Sequence, residues 1–260
     1  MDEKTLKATL HDLPLGDIRF YPKTGSTNDL ALAWAANGAS DLSLVITDEQ
    51  TSGRGRAGRI WHASSGSSLT FSLILHPNRI EAESALLFTG LGALALTETI
   101  EKSFGIRAQI KWPNDVLLQG RKLAGILVES VWLGNALENM VLGMGVNVLS
   151  AAVPPAERLD FPAVSLEEAL PSPPDRLHLL HDILASLLAW RPRLTEAAFV
   201  QAWEARLAYR GEQVEVWSGT EIPQSGTLIG LEADGSLRLL SPQGQSLHIH
   251  FGDVHLRPAV

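Results

Sequence analysis

Apolar and polar residues alternate through SLTFSLIL, where Leu69, Phe71, Leu73 and Leu75 fall at every second position, and this period of two predicts a β-strand. Leu44–Thr47 reads as a strand too, and AQIKW as another. In VLLQGRKLAGILVES two strand-like runs flank Gln119, Gly120 and Arg121, a predicted hairpin bend. VWLGNALENMVLGMGVNV reads as a second strand pair, turning at residues 133–135. Helical spacing takes over elsewhere. Ser26, Thr27 and Asn28 are capping residues ahead of LALAWAA, predicting a helix that stops near Gly38. Residues 81–103 read as one long apolar helix ending near Gly105. Residues 150–175 are proline-rich, with a short helical piece around SLEEAL, and read as an extended connection packed on the domain. Two helices, 175–190 and 195–209, are predicted on either side of Arg191-Pro192. After Gly211 the pattern changes to short strands, QVEVW, GTLIGLEADGSLRLLS and SLHIHFGDVHL, which predict a small β-barrel.

Composition sets limits on this picture. A chain of 260 residues, 45% hydrophobic and 19% charged, has the makings of a globular core. Its net charge of −8 argues against a surface that grips nucleic acid throughout. With no cysteine, disulfides, thiolate-ligated zinc and thiol nucleophiles are excluded. The N-terminus MDEKTLKATL lacks the apolar stretch of a signal peptide, and no apolar run approaches the roughly 20 residues of a membrane span. A cytoplasmic enzyme or binding protein is the expected class.

Against that acidic background, GRGRAGRIW (residues 53–61) concentrates three arginines and three glycines. Glycine lets backbone N–H groups come close to a ligand, and arginine offers a planar fork of donors to phosphate or carboxylate oxygens. The pairing describes a flap closing over an anion, and equally an exposed turn or an RGG-like nucleic-acid segment. It is no Walker A loop, since no Gly-Lys-Ser/Thr ending follows. A second cluster, KWPNDVLLQGRKLAG, carries Lys111 before a Pro-Asn-Asp turn and Lys122 after the hairpin bend. Adjacent antiparallel strands could bring both ammonium groups to one site; ordinary solvated hairpin charges fit the same residues. The pairs His178/His181 and His248/His250 share a helix turn and a strand face, but no third ligand is in view, so no histidine is assigned a role.

In order along the chain, SerThrAsn, GRGRAGRIW, KWPNDV, RKLAGILVE and GMGVNV resemble the biotin–protein ligases, from about Thr24 to Arg257 and including the C-terminal GDVHLRP. The resemblance implies an α+β fold of the class II synthetase/biotin ligase type. A mixed β-sheet backed by helices would form a biotin/ATP-binding catalytic domain over residues 1–210, with a small SH3-like barrel over 211–260. It also implies activation of biotin by ATP as biotinyl-5′-AMP, then transfer to a lysine of a biotin carboxyl carrier protein or carboxylase domain, with Mg²⁺ assisting. Position by position, Ser26, Thr27 and Asn28, with Gln50 nearby, match the residues that bind the ureido ring, although Ser26 and Thr27 also suit helix capping. Arg54, Gly55 and Arg56 match the loop over biotin and the phosphates, with Arg59 beside them. Lys122 matches the lysine between the biotin carboxylate and the α-phosphate and is the main electrostatic catalyst expected, with Arg54 and Lys111 as further cations. Trp61 matches a tryptophan covering the adenine, or is a core residue. Asn114 and Asn147 are nucleotide candidates, and Asp115 is a Mg²⁺ or turn residue. Gly125 is a point of close backbone approach to biotin.

Only residues 1–25 precede Ser26, so the expected enzyme is monofunctional, without the N-terminal DNA-binding domain of some relatives and without operator binding. Monomer and homodimer both stay open. Lipoate ligases share the fold and are the nearest alternative; transferases acting through a thioester fail for want of a cysteine. A nucleic-acid-binding module using the Gly-Arg loop is the alternative from another class.

Overall fold

The computed structural model describes residues 1–84, 86–134, 136–218, 222–250 and 254–258. The first elements are α1 (Glu3–Thr9), β1 (Ile18–Tyr21), α2 (Thr27–Ala36), β2 (Leu44–Thr47) and β3 (Ser68–Leu75). There follow α3 (Arg79–Glu83), α4 (Leu87–Phe104), β4 (Ala108–Lys111), β5 (Asp115–Leu118), β6 (Arg121–Leu133) and β7 (Ala136–Asn147). The connection carries α5 (Leu166–Ala169), and α6 (Arg176–Trp190) and α7 (Ala197–Glu204) come next. The chain ends in β8 (Gln213–Ser218), β9 (Gln224–Leu231), β10 (Leu237–Leu240), β11 (Ser246–Ile249) and β12 (Val254–Pro258).

Strands β1 to β7 form one mixed sheet in the order β1-β2-β3-β7-β6-β5-β4, parallel only between β1 and β2. Helix α4 covers one face, its Gly92 against Ile126 and Leu142, and α6 packs on α4. Phe71, Leu73, Leu142, Met144, Val146 and Ile126 point into this largely apolar layer. Helix α2 covers part of the opposite face, where Ala31 and Trp34 meet Val45, Ile74 and Val141. Both faces are therefore covered along β3, and all eight of its residues are buried. The alternation in SLTFSLIL marks two buried faces of different chemistry, where a solvated polar face is the commoner outcome.

The predicted mixed sheet backed by helices is the observed architecture, with two differences. The helix expected over 81–103 is two helices, broken where Asn78 caps the short α3 and residues 84–86 intervene before α4. The N-terminal elements α1 and β1 have no counterpart in the sequence reading; in α1 only Leu6, and Leu10 just beyond it, reach the core. Two apolar positions one turn apart are too few to stand out as a period. The C-terminal strands form a separate sheet in the order β11-β10-β9-β8-β12, with no pairing between its two edges among the described residues. Residues 251–253, in the predicted strand SLHIHFGDVHL, and residue 135, in the predicted turn, lie outside the described residues.

His181 on α6 joins the N-terminal segment to this layer, with Nδ1 3.1 Å from Asp182 Oδ1 and Nε2 3.1 Å from Asp12 Oδ2. Hydrogen bonds to Asp182 and then Asp12 raise its pKa above the ordinary 6.5. A raised folded-state pKa stabilises fully below the unfolded value and is lost as pH climbs through the folded one. Wild type should therefore exceed His181→Gln in urea midpoint at about pH 6, with the gap closing toward about pH 9. A gap that stays constant with pH would refute this.

Candidate active site

One row of directly paired residues crosses the whole sheet: Tyr21, Thr47, Thr70, Gly145, Gly125, Asp115 and Lys111. Residues paired across strands share a face, so this row lies opposite α4, on the side where α2 sits. The next row on that face runs Val45, Ser72, Gly143 and Leu127. In GMGVN, the glycines and Asn147 thus point to the site while Met144 and Val146 point to the core.

Lys122 reaches this face through an irregularity. Counting back from Gly125 by strict alternation puts Lys122 on the core side. However, Val116 pairs with Ala124 and Leu117 with Lys122, so β6 carries one extra residue there. Such a bulge re-aims a side chain. Lys122 Nζ ends 2.6 Å from Asp115 Oδ1, and Lys111 is the paired neighbour of Asp115 on β4. Backbone bonds from Lys122 to Pro162 and Val164 clamp the proline-rich connection beside it.

Two adjoining cavities open on this face. The first is lined by Ser26, Thr27, Asn28, Gln50, Arg54, Gly55, Arg56, Asn114 and Gly125. Arg59, Trp61, Lys111, Asp115 and Lys122 line both cavities. Asn147 lines the second, where its Nδ2 donates to Val164 O at 3.2 Å. Every site candidate from Ser26 to Asn147 thus borders one continuous cleft. Residues 152–163 form the far wall of the second cavity, with Phe161 4.2 Å from Lys111 Nζ. From its sequence this segment reads as a connection only.

At one end the polar groups interlock. Gln50 Oε1 accepts from Thr27 N (2.7 Å) and Thr27 Oγ1 (3.1 Å). Asn28 Nδ2 donates to Glu129 Oε2 (2.7 Å) and Leu127 O (3.3 Å), while Asn28 Oδ1 accepts from Ser72 Oγ at 2.6 Å. Both amide hydrogens of Asn28 are engaged, so its orientation is fixed. Ser26 is also the N-cap of α2, accepting from Asp29 N at 3.5 Å. At the other end stand Lys122 with Asp115, Lys111, and Arg56, whose Nη1 donates to Asn114 Oδ1 at 3.1 Å. Arg54 belongs to the first end: its guanidinium bonds both Glu129 oxygens (2.9 and 2.7 Å) and Asp29 (2.7 Å). Glu129, Asp29, Ser72 and Thr70 are site residues that the sequence reading missed. The two polar β3 residues were visible as the off-beat of SLTFSLIL.

The Gly-Arg segment folds as a small hairpin over the cleft, with Gly55 N bonded to Arg59 O and Trp61 N to Gly53 O. Trp61 lies flat on the sheet floor. A Cβ at Gly145 would stand 2.3 Å from its ring, and one at Gly143 would stand 2.0 Å from Asn28 Oδ1. Trp61 Nε1 and Thr70 Oγ1 are buried in the cleft wall without a protein partner, polar atoms suited to meet a ligand.

Residues 20–147, which include every candidate from Ser26 to Asn147, match the biotin/lipoate A/B protein ligase family. The chain is 37% identical to the bifunctional ligase/repressor BirA of Bacillus spizizenii, with 98% of this chain and 79% of that protein covered. It is 36% identical to the biotin–[acetyl-CoA-carboxylase] ligase of Paracoccus denitrificans, with 86% of this chain and 95% of that one covered. The solved biotin protein ligase from Aquifex aeolicus in complex with biotin and ATP superposes with a TM-score of 0.80 at 28% identity, covering 94% of this chain and 99% of the other.

The glycine floor generates a direct test. Gly145→Ala should lift the Trp61 indole off the sheet and loosen the hairpin, raising hydrogen exchange at amides 53–61 while far-UV circular dichroism stays native. Unchanged exchange there would show that the indole does not depend on the missing Cβ.

Proposed function

Because the chain belongs to the biotin/lipoate A/B protein ligase family, we infer that this cleft activates a carboxylic acid with ATP and hands the acyl group to a protein. It is an ATP-dependent biotin–protein ligase. The biotin carboxylate attacks the α-phosphorus of ATP, forming the biotinyl-5′-AMP anhydride and expelling pyrophosphate. A lysine ε-amine then attacks the acyl carbon, forming the amide, and AMP leaves with the C–O bond electrons. The acceptor is a lysine of a biotin carboxyl carrier protein.

In the first step two anions must meet, so the site has to offset their repulsion. The observation that carries the assignment of roles is the division of the cleft, with an amide-rich end, where Glu129 and Asp29 take up the charge of Arg54, and a lysine-rich end joined by a glycine floor. Ser26, Thr27, Asn28 and Gln50 suit the uncharged ureido ring, which offers N–H donors and a carbonyl acceptor. Gly125 suits close backbone approach by the bicycle, while Gly145 makes room for the Trp61 ring. Lys122 suits the junction of carboxylate and α-phosphate, where it would stabilise charge as the anhydride forms. Lys111, Arg56, Arg59, Asn114 and Asn147 suit the nucleotide, and Trp61 its adenine or the anhydride. Arg54 suits a closing role better than direct charge stabilisation, because carboxylates engage its fork.

Mg²⁺ fits this site as an ion carried by ATP. Among the described residues no three carboxylates or histidines gather to hold a metal, and Asp115 is paired with Lys122. Magnesium is commonly held by one or two carboxylates plus substrate phosphates, so Asp115 is the group that would meet it, and the ion would supply charge neutralisation. Among the described residues no helix is long and apolar enough to cross a membrane.

Incubation with MgATP, biotin and a carrier domain should raise the carrier mass by one biotinyl group. Lipoate in place of biotin should leave the mass unchanged; the reverse pattern would favour the lipoate reading. Lys122→Ala should slow pyrophosphate release about 100-fold or more while biotin affinity falls less than about 10-fold. Equal losses in both would make Lys122 a binding group.

A further inference from the structure

Glu129 stands on the site face of β6, two residues beyond Leu127, and both of its oxygens are engaged. Oε1 accepts from Arg54 Nη1 at 2.9 Å, and Oε2 accepts from Arg54 Nη2 and Asn28 Nδ2, each at 2.7 Å. Arg54 Nη2 also meets Asp29 Oδ1 at 2.7 Å. Three separate parts of the chain converge here: the central sheet through Glu129, the first turn of α2 through Asn28 and Asp29, and the hairpin 53–61 through Arg54. The paired carboxylate–guanidinium geometry is the strong, orientation-specific form of ion pair. The Glu129 side chain is 25% exposed, so water screens it less than a fully solvated pair.

The hairpin is also tied to the sheet through Trp61, whose ring rests on Gly145. Its internal bonds include those between Gly55 and Arg59 and between Gly53 and Trp61, and Arg56 reaches Asn114 across the cleft. Its outer residue Ile60 is 70% exposed, so it has little apolar burial of its own there. A flap so constructed is held by the Trp61 ring on the sheet floor together with what its arginines hold. Arg54 holds the sheet, through Glu129, at the end of the cleft where Asn28 is fixed.

We propose that Glu129 is a positioning residue that latches the 53–61 hairpin over the cleft through Arg54 and thereby sets how long biotin and its adenylate remain bound. The proposal rests on the biotin-ligase reading above. Asp29 is the secondary catch. Because the same carboxylate orients the Asn28 amide, closure of the flap and shaping of the ureido end act together. The latch takes no part in bond making, so its effect falls on retention of the ligand.

Glu129→Gln keeps the side chain's shape and an acceptor oxygen and removes the charge. The expected result is that KM for biotin and the release rate of preformed biotinyl-5′-AMP both rise about tenfold or more, while the single-turnover rate of adenylation at saturating biotin changes less than about threefold. Asp29→Asn, a change at an exposed carboxylate, should move the same two quantities in the same direction by less. Glu129→Gln combined with Arg54→Gln should lose less than the sum of the two single losses, since the Glu129–Arg54 contact is common to both. Release rates within about twofold of wild type in both Glu129→Gln and Asp29→Asn would overturn the latch, as would a single-turnover rate that falls in proportion to KM. Wild type that makes no biotinyl-5′-AMP from biotin and MgATP would instead sink the ligase reading, a result distinct from an active wild type with unaltered variants.

Discussion

The site depends on how closely side chains can approach the backbone of β6 and β7. On the face away from α4, these strands present Gly125, Gly143 and Gly145 where other strands present side chains. A methyl group at Gly143 would occupy the place of the Asn28 amide, and one at Gly145 would occupy the place of the Trp61 ring. Helix α2 and the Gly-Arg hairpin can therefore both rest on the sheet with a shallow trough between them. The other face of the same strands carries Leu142, Met144 and Val146, which lock the sheet to the helical layer. A rigid apolar side supports a thin, polar, open side. Functional groups mounted on strands anchored in this way hold their positions better than groups on free loops.

Charge is arranged on that platform in pairs. Lys122 faces Asp115, and Arg54 faces Glu129 and Asp29. An acidic protein can keep these two cations at a cleft without a general basic surface because each has a local carboxylate to hold its direction. The Lys122–Asp115 pair also bears on the metal question. A carboxylate already neutralised by an ammonium draws a divalent ion less strongly than a bare one, so magnesium fits this site best when ATP phosphates supply most of its ligands.

Much of the architecture was readable in the sequence because the hydrophobic periods were clean. The strands of the central sheet from β2 onward, the hairpin at Gln119-Gly120 and the break at Arg191-Pro192 all stood out. The candidate residues from Ser26 to Asn147 came from ordered motifs and line one cleft. What was not legible depended on register and on distance along the chain. Lys122 turns to the site through a bulge, which no alternation count reveals. Arg54 and Glu129 are separated by 75 positions, and nothing local marks them as partners. Glu129 itself sits in a strand run, ILVES, where a single acid looks like an ordinary exposed residue. Residues 152–163 lack periodicity and were taken for a connection, yet their wall position follows from the backbone bonds to Lys122. The division of 81–103 into two helices follows from the Asn78 cap, an N-terminal signal that fell just before the apolar run.

The C-terminal sheet also bears on the site. Trp112, between Lys111 and the Pro113-Asn114 turn, is fully buried and its Nε1 donates to Gly235 O in the β9–β10 turn at 3.0 Å. A buried indole N–H needs such a partner, so this carbonyl is part of what fixes the tryptophan. The edge of β4 is covered in turn by Arg206 and Ala208, which exchange backbone bonds with Ile110 on the approach to β8. The turn that presents Asn114 and Asp115 is thus held from the sheet on one side and from the C-terminal strands on the other. Its geometry is a property of both, and the lysine-rich end of the cleft takes its shape in part from Gly235, far downstream in the chain.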